Sequence, residues 1–421
     1  MLKAFLIVLI SILSLTPRAD SKGLNSCPSL FYQESKQIQG NYVAIPGGIA
    51  HGRIHNQKSG EDCWAQAITE LVEAHYFAKT GKDVRLSPEY DLFWHVYVQV
   101  RSNIRKFTNM REQYQDPNPS ARTLKLQKLF KDAYGLGPSR RVNTSLGFQI
   151  DVGANADEAI SKLHFSGVVP FIRYKQEIST DEREKRIENG LAHFVGNYLL
   201  KGDHIERYAK EFDEKDGVNT ALFNDLVTSL MQHEHAITQV PLRPNQEFSY
   251  QNIRTTPRLF LKDFLQFDPR EYQYTKTSTY NQRAALKSIA TSIREFGLPA
   301  LIGMELFGDD AVWMNEQNQG LLSSATCGTN CKEVNGQHEL LVVNYLFQDD
   351  PLVPTYLIVQ NSWGPIGNRD INGNKTRNPK KMGYLLISVE YLNRDEKSGP
   401  WDLLITKKVG TLKPAKPNRA N

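Results

Sequence analysis

The last third of the chain holds five short apolar runs: Leu298 to Met304, Leu340 to Leu346, Tyr356 to Val359, Tyr384 to Val389 and Leu403 to Ile405. Each is bounded by Gly, Pro or Asn. Runs so short and so punctuated read as β-strands. The earlier sequence has a different period. Trp64, Ile68, Leu71, Val72 and His75 follow helical spacing, with Gly81 as a stop, and Ser87-Pro88 caps and opens a second helix leading into Tyr90-Asp91-Leu92-Phe93-Trp94. The stretch 101–145 reads as helical with a loop at Asp116-Pro117-Asn118-Pro119, and Asp157 to Phe165 as a short helix. Thr180 to His235 has the mixed charge of solvated helices, the run Asp181 to Arg186 being an exposed face. Helices first and strands last predict an α+β protein with its site between two differently built lobes.

Of 421 residues, 40% are apolar and 23% charged, a composition that forms a core. The net charge of +5 comes from 51 basic and 46 acidic side chains, with no basic tract interleaved with aromatics, so nothing points to nucleic acid. Met1-Leu2-Lys3 followed by the apolar run Ala4 to Leu15 has the pattern of a secretory signal peptide cut near Ser21. The run is too short to span a bilayer and no other segment is longer, so export to a secreted or periplasmic location without stable membrane insertion is expected. In an oxidising compartment Cys27, Cys63, Cys327 and Cys331 need separate accounting. Cys327 and Cys331 could close a small loop, or Cys27 could pair with one of them, and the spacing does not choose.

Residues 56–65 read Asn-Gln-Lys-Ser-Gly-Glu-Asp-Cys-Trp-Ala, placing Cys63 at a helix start. A helix N-terminus favours a thiolate, and acyl transfer needs that thiolate beside an oxyanion donor. Gly336-Gln337-His338 precedes the strand Glu339 to Leu346, so His338 stands at a strand start. Gln360-Asn361-Ser362-Trp363-Gly364 follows the strand Tyr356 to Val359.

Gln57, Cys63-Trp64, His338 and Asn361-Ser362-Trp363-Gly364, in that order, resemble the papain superfamily of cysteine peptidases. Leu86-Ser87-Pro88-Glu89, Gly153-Ala154-Asn155-Ala156-Asp157 and Gly297-Leu298-Pro299-Ala300-Leu301-Ile302 are similar to further segments of that family. Asn56 to Gly60 and Tyr90 to Trp94 are more similar to its bleomycin hydrolase branch. The resemblance implies a two-lobed fold with a helical N-terminal lobe, an antiparallel β-rich C-terminal lobe and a peptide or protein substrate in the cleft between them. It also implies four catalytic roles: Cys63 as nucleophile, His338 as acid and base, Asn361 orienting the imidazole and Gln57 in the oxyanion hole. Glu61, Gly153, Ala154, Gln337 and Trp363 fall on the substrate-binding side of the same motifs, Trp363 also shielding the His338–Asn361 hydrogen bond.

Glu61 and Asp62 stand directly before Cys63, where two carboxylates oppose ionisation of a thiol unless they turn away or cap the helix. Ala154 replaces the second glycine of the family's pair, and Glu339 stands where a small residue is usual. These departures keep a catalytically silent peptide- or protein-binding module as the alternative reading. No metal or other cofactor is expected: His233 and His235 lack a third ligand at suitable spacing, and His51 and His55 lie in a glycine-rich stretch. The domain reading is a signal peptide at 1–21, a short leader at 22–40, a papain-like domain at 41–410 with helical insertions near 101–145 and 176–282, and a loose tail at 411–421.

Overall fold

The computed structural model describes residues 43–44, 63–113, 153–175, 180–199, 204–210, 217–232, 235–277, 281–307, 320–322, 334–360, 383–392 and 401–408. Helix α1 (Cys63–Thr80) begins at the cysteine and is buried along its length from Cys63 to Tyr76. It is therefore an internal helix, apolar or internally bonded on all sides. Gly81 ends it with φ +67, its N–H bonding the Phe77 carbonyl at 2.8 Å.

Helix α2 (Pro88–Gln113) starts as its sequence predicts: Pro88 is the first residue and the Ser87 hydroxyl accepts the Tyr90 N–H at 3.2 Å. Helix α3 (Ala156–Ser166) is capped by Asn155, whose side chain accepts the Glu158 N–H at 2.9 Å. It stops at Gly167, which has φ +69 and lies so close to the backbone of Pro257 and Arg258 that no side chain fits there.

Helices α4 (Thr180–Phe194), α5 (His204–Lys210) and α6 (Thr220–Gln232) follow. The sequence reads here as solvated, yet α4 and α6 pack together and bury Ile187, Leu191, Phe194, Leu222, Leu226 and Leu230. Each helix thus has a face packed away from water, while the charge run dominates the sequence pattern. Helix α7 (Gln282–Phe296) leads into the sheet.

Among the described residues the main sheet has eight strands. In chain order they are β1 (Val43–Ala44), β4 (Tyr272–Lys276), β5 (Ala300–Phe307), β6 (Leu321–Leu322), β7 (Val334–Phe347), β8 (Tyr356–Gln360), β9 (Tyr384–Ser388) and β10 (Asp402–Thr406), while β2 (Phe248–Tyr250) and β3 (Ile253–Thr255) form a separate hairpin. The order is β4-β10-β5-β7-β8-β9-β6 with β1 on β7, and every pairing is antiparallel except β6 with β9. All five apolar runs of the last third contain strands, Leu298 lying before β5 and Val389 opening a short helix after β9. Residues 338 to 346 of β7 are buried without interruption, so both faces of the strand are covered.

Two boundaries differ from the sequence reading. Strand β7 begins at Val334, so His338 lies inside it, paired with Met304 of β5, and not at its start. The polar residues before His338 are held by the ladder to β5 (Glu305 opposite Gln337, Leu306 opposite Gly336), a tertiary cause that local propensity does not encode. Tyr272–Lys276, read as part of a helical insertion, is the edge strand of the main sheet, paired along its whole length with β10.

Candidate active site

Cys63 is the first residue of α1, is buried at 9% exposure, and is a thiol outside any disulfide. His338 is buried at 2% exposure on β7, and α1 packs against β7 and β5. The helix that carries the thiol thus lies on the strand that carries the imidazole. Gln57, Glu61, Asn361 and Trp363 lie outside the described residues, as do Asp62, Cys27, Cys327, Cys331, His51, His55 and His233. Gln337 is placed in β7 by its backbone.

The buried length of α1 is fixed by polar ties to its neighbours. Thr69 Oγ1 donates to the Ala65 carbonyl at 2.6 Å and contacts Asp91 Oδ2 of α2 at 3.1 Å. Burial pushes the Asp91 carboxyl well above the usual carboxylate range, with the Thr69 hydrogen bond opposing it. Glu73 Oε1 accepts the Leu86 N–H at 2.7 Å, tying α1 to the segment that enters α2. His75 accepts from the Tyr272 hydroxyl at Nδ1, 2.8 Å, and donates from Nε2 to the Gln266 carbonyl, 3.2 Å. Burial, then the Lys79 charge, lowers its pKa to about 4, so the ring is neutral at ordinary pH. A helix so anchored holds its first residue, Cys63, in register with the sheet.

Gly153 and Ala154 are both half-buried and lead directly into the capped start of α3. The sequence reading did not include what holds them. His95, fully buried on α2, places Nε2 3.1 Å from the Gly153 carbonyl. Its Nδ1 receives the Lys162 ammonium of α3, and its ring lies 4.7 Å from Trp64, the neighbour of Cys63. With hydrogen on Nε2 the ring donates to Gly153 and accepts from Lys162, and the Gln99 side-chain amide, which also reaches Nε2, then faces it with its oxygen. Lys162 also lies 3.8 Å from Glu158 and 6.0 Å from the Trp64 ring centre. One buried histidine therefore couples the start of α1, the Gly153-Ala154 segment and α3. Its only signal in the sequence was a histidine one residue beyond an aromatic-rich helical stretch.

A second group gathers around Glu339, which the sequence singles out, and includes Gly303 and Asp402, which it does not. Glu339 follows His338 and alternation turns it to the other face of β7, where Gly303 of β5 is its cross-strand partner and Asp402 of β10 is the partner of Gly303. The Glu339 carboxylate accepts a hydrogen bond from the Ala156 N–H at the start of α3. Burial, then the Asp402 charge, raises its pKa to about 8. Asp402 is itself raised by burial, opposed by the hydrogen bond from the Tyr274 hydroxyl at 2.7 Å and by the Lys276 charge. The sequence signal here was Gly303, a glycine inside an apolar strand, which marks close approach by another group.

Among the described residues no group of His, Cys, Asp or Glu is arranged to hold a metal ion, and no helix is long and apolar enough to cross a membrane.

No protein-family model matches the sequence, and no curated protein matches it. Among solved structures the chain is similar to PepW from Lactobacillus rhamnosis HN001, at 14% identity over 92% of this chain and 91% of that one, with a TM-score of 0.52. Xylellain, a cysteine protease from Xylella fastidiosa, matches at 12% identity over 87% of this chain and 85% of that one, with a TM-score of 0.35. Procathepsin L 3 of Tenebrio molitor larval midgut matches at 14% identity over 86% and 69%, with a TM-score of 0.31. With its internal helix opening at Cys63, its mostly antiparallel sheet and its likeness over nine-tenths of both chains to PepW, the chain has the papain-like α+β fold.

Proposed function

We propose that this chain is an exported cysteine peptidase that hydrolyses peptide bonds through a thioester on Cys63. The observation that carries this reading is the placement of Cys63 as the first residue of a buried helix packed on the strand that holds His338. The N-terminal end of a helix favours the thiolate, and burial removes competing water from the reacting pair.

The Cys63 thiolate attacks the scissile carbonyl carbon. A C–S bond forms, and the carbonyl oxygen takes up negative charge beside the Gln57 side-chain amide and the Cys63 N–H. The C–N bond then breaks as protonated His338 gives its proton to the leaving amine. Water attacks the thioester, its proton passes to His338, and the C–S bond breaks to release the acid. Asn361 accepts from the imidazole and holds its orientation, with Trp363 over that hydrogen bond. Gly153 and Ala154 present backbone to the bound peptide, with Gln337 and Glu61 flanking the reacting bond.

The retention of Gln57, Cys63, His338 and Asn361 together favours catalysis over a silent binding module, since peptide binding alone does not need a thiol, an imidazole and its orienting amide. The test is alkylation by an epoxide directed at papain-like thiols, combined with hydrolysis of a peptide library. Labelling and hydrolysis both lost in Cys63→Ala support the reading. A folded, reduced protein that neither labels nor hydrolyses any peptide refutes it. Export is tested by the N-terminal sequence of mature protein recovered outside the cytoplasm, expected to begin near Ser21.

A further inference from the structure

A lysine on its four-carbon stem ordinarily carries the ammonium out to water. Lys162 of α3 does the reverse. Its side chain is only 12% exposed, and its ammonium turns to Nδ1 of His95, 6.0 Å from the Trp64 ring centre. Glu158, four residues earlier on the same helix, lies 3.8 Å away but is 53% exposed, and a pair so open to water does not by itself draw a cation inward. Taking a cation out of water is costly unless groups inside receive it. The group that receives this one is the imidazole, whose Nε2 meets the Gly153 carbonyl at 3.1 Å. The partners of the ring are not equivalent. Lys162 can only donate, the Gly153 carbonyl can only accept, and the Gln99 amide can turn either its oxygen or its nitrogen to Nε2. Gln99 therefore fits either tautomer and selects neither. A hydrogen on Nδ1 would point at the ammonium and leave the Nε2 lone pair against the Gly153 oxygen. A ring turned over about its bond to Cβ would put carbon against both. Ammonium and carbonyl together select one orientation and one tautomer.

We propose that Lys162 is a positioning residue for bound peptide: its ammonium, acting through His95, fixes the Gly153 carbonyl and with it the direction in which the Gly153-Ala154 segment presents its backbone. The assignment rests on reading that segment as the one that meets the peptide. Lys162 acts in two ways. As a donor to Nδ1 it locks the ring in the orientation that brings Nε2 to Gly153. As a cation it draws electron density from the ring, which makes Nε2–H the stronger donor. A trans peptide unit points its C=O and its N–H in opposite directions, so a Gly153 carbonyl held toward His95 aims the Ala154 N–H the other way. The charge thus sets the backbone of the segment without touching it. The segment and Lys162 also belong to one unit, since the segment runs into the Asn155 cap of the helix that carries the lysine.

The experiment uses the full chain and three variants: Lys162→Met, which keeps the stem and loses donor and charge; Lys162→Gln, which keeps a donor; and Lys162→Arg, which keeps both. Binding of a fluorescent peptide library is measured on each in a Cys63→Ala background. The ring-nitrogen NMR shifts of His95, KM, kcat and the rate of Cys63 alkylation are measured with the thiol intact. In Lys162→Met the Nδ1 signal should lose its hydrogen-bonded shift, and peptide binding should weaken, with KM rising, by about three- to tenfold, the net worth of one hydrogen bond. The value of kcat and the alkylation rate should change less. Lys162→Arg should restore shift and binding, and Lys162→Gln should restore part of each, which keeps the proposal testable if Lys162→Met does not fold. A folded Lys162→Met, or Lys162→Gln in its place, with unchanged shift and binding overturns the proposal. So does a loss that neither Arg nor Gln restores, or a fall in kcat and alkylation with KM untouched, which would place Lys162 with Trp64 and the nucleophile. Shift and binding need no turnover. Peptide binding that depends on Lys162 without hydrolysis keeps this assignment and removes the peptidase; hydrolysis with a KM indifferent to Lys162 keeps the peptidase and removes the assignment.

Discussion

The Nε2–H of His95 on α2 donates to the carbonyl oxygen of Gly153, 3.1 Å away, and so holds the loop that enters α3 against the helix that opens at Cys63. The same ring packs 4.7 Å from Trp64 and takes the Lys162 ammonium on its other nitrogen. Loop, helix and ammonium are coupled through one residue.

Substituting His95→Phe should preserve the packing on Trp64 and remove the ring's contacts to Gly153, Lys162 and Gln99. Leaving the Gly153 carbonyl without its donor should cost about 1 to 3 kcal/mol in denaturant unfolding. If Gly153 presents backbone to peptide, KM should rise more than kcat falls, and alkylation of Cys63 should change less than either. A fall in kcat and labelling with KM untouched would place His95 with the nucleophile and not with the loop.

His75 provides an acid-sensitive tie between α1 and the β4 edge. Its folded pKa, about 4, lies below the ordinary 6.5, so its contribution is complete above 6.5 and declines as pH falls toward 4. The decline should approach about 1.4 kcal/mol per pH unit in that window. In His75→Gln that slope should disappear from the stability profile measured by urea unfolding at several pH values. An unchanged slope would assign the acid sensitivity to other groups.

Glu339 acts with the opposite sign. Its folded pKa, about 8, lies above the ordinary 4.5, so the folded chain holds the proton more firmly and stability declines as pH rises from 4.5 to 8. Glu339→Gln removes the ionisation. The variant should gain on the wild type across this window by up to about 1.4 kcal/mol per pH unit, measured as the difference between their unfolding free energies. A difference that stays flat with pH would mean that Glu339 ionises normally.

Gly303→Ala should drive a methyl group into the Glu339 carboxylate and cost about 1 to 3 kcal/mol. With Glu339→Ala present the same methyl has room, so the penalty should largely vanish. A double-mutant cycle in chemical denaturation reads this coupling. Additive penalties would show that the two positions do not share the space.

The capped start of α2 was legible because its cause is local: Ser87 bonds the first turn that follows it, whereas Asn155, which caps α3 in the same way, was not singled out as a cap. Apolar runs between breakers gave the strands for the same reason. Strand β4 was not legible, since Tyr-Gln-Tyr-Thr-Lys is polar and only half-buried, and only its ladder to β10 makes it a strand. The β2–β3 hairpin turns on Gln251 and Asn252 at φ 48 and 66, positions where glycine usually gives the hairpin away. Motif order singled out Cys63 and His338, which share no local pattern. Glu339, Gly303 and Asp402 become neighbours only through the register of three antiparallel strands, and nothing in the chain order states that register.

Strand β4 lies at one end of the strand order, and it arrives from the long middle segment that the sequence reads as an insertion. A shortened version of this protein, made by excising 176–282, would strip β10 of its β4 partner and leave it paired to β5 alone, leave Asp402 without Tyr274, and deprive His75 of Tyr272. The bared strand would then be a template for self-association. A workable minimal protein must keep the segment from Gln266 onward and join it to what precedes the excised helices.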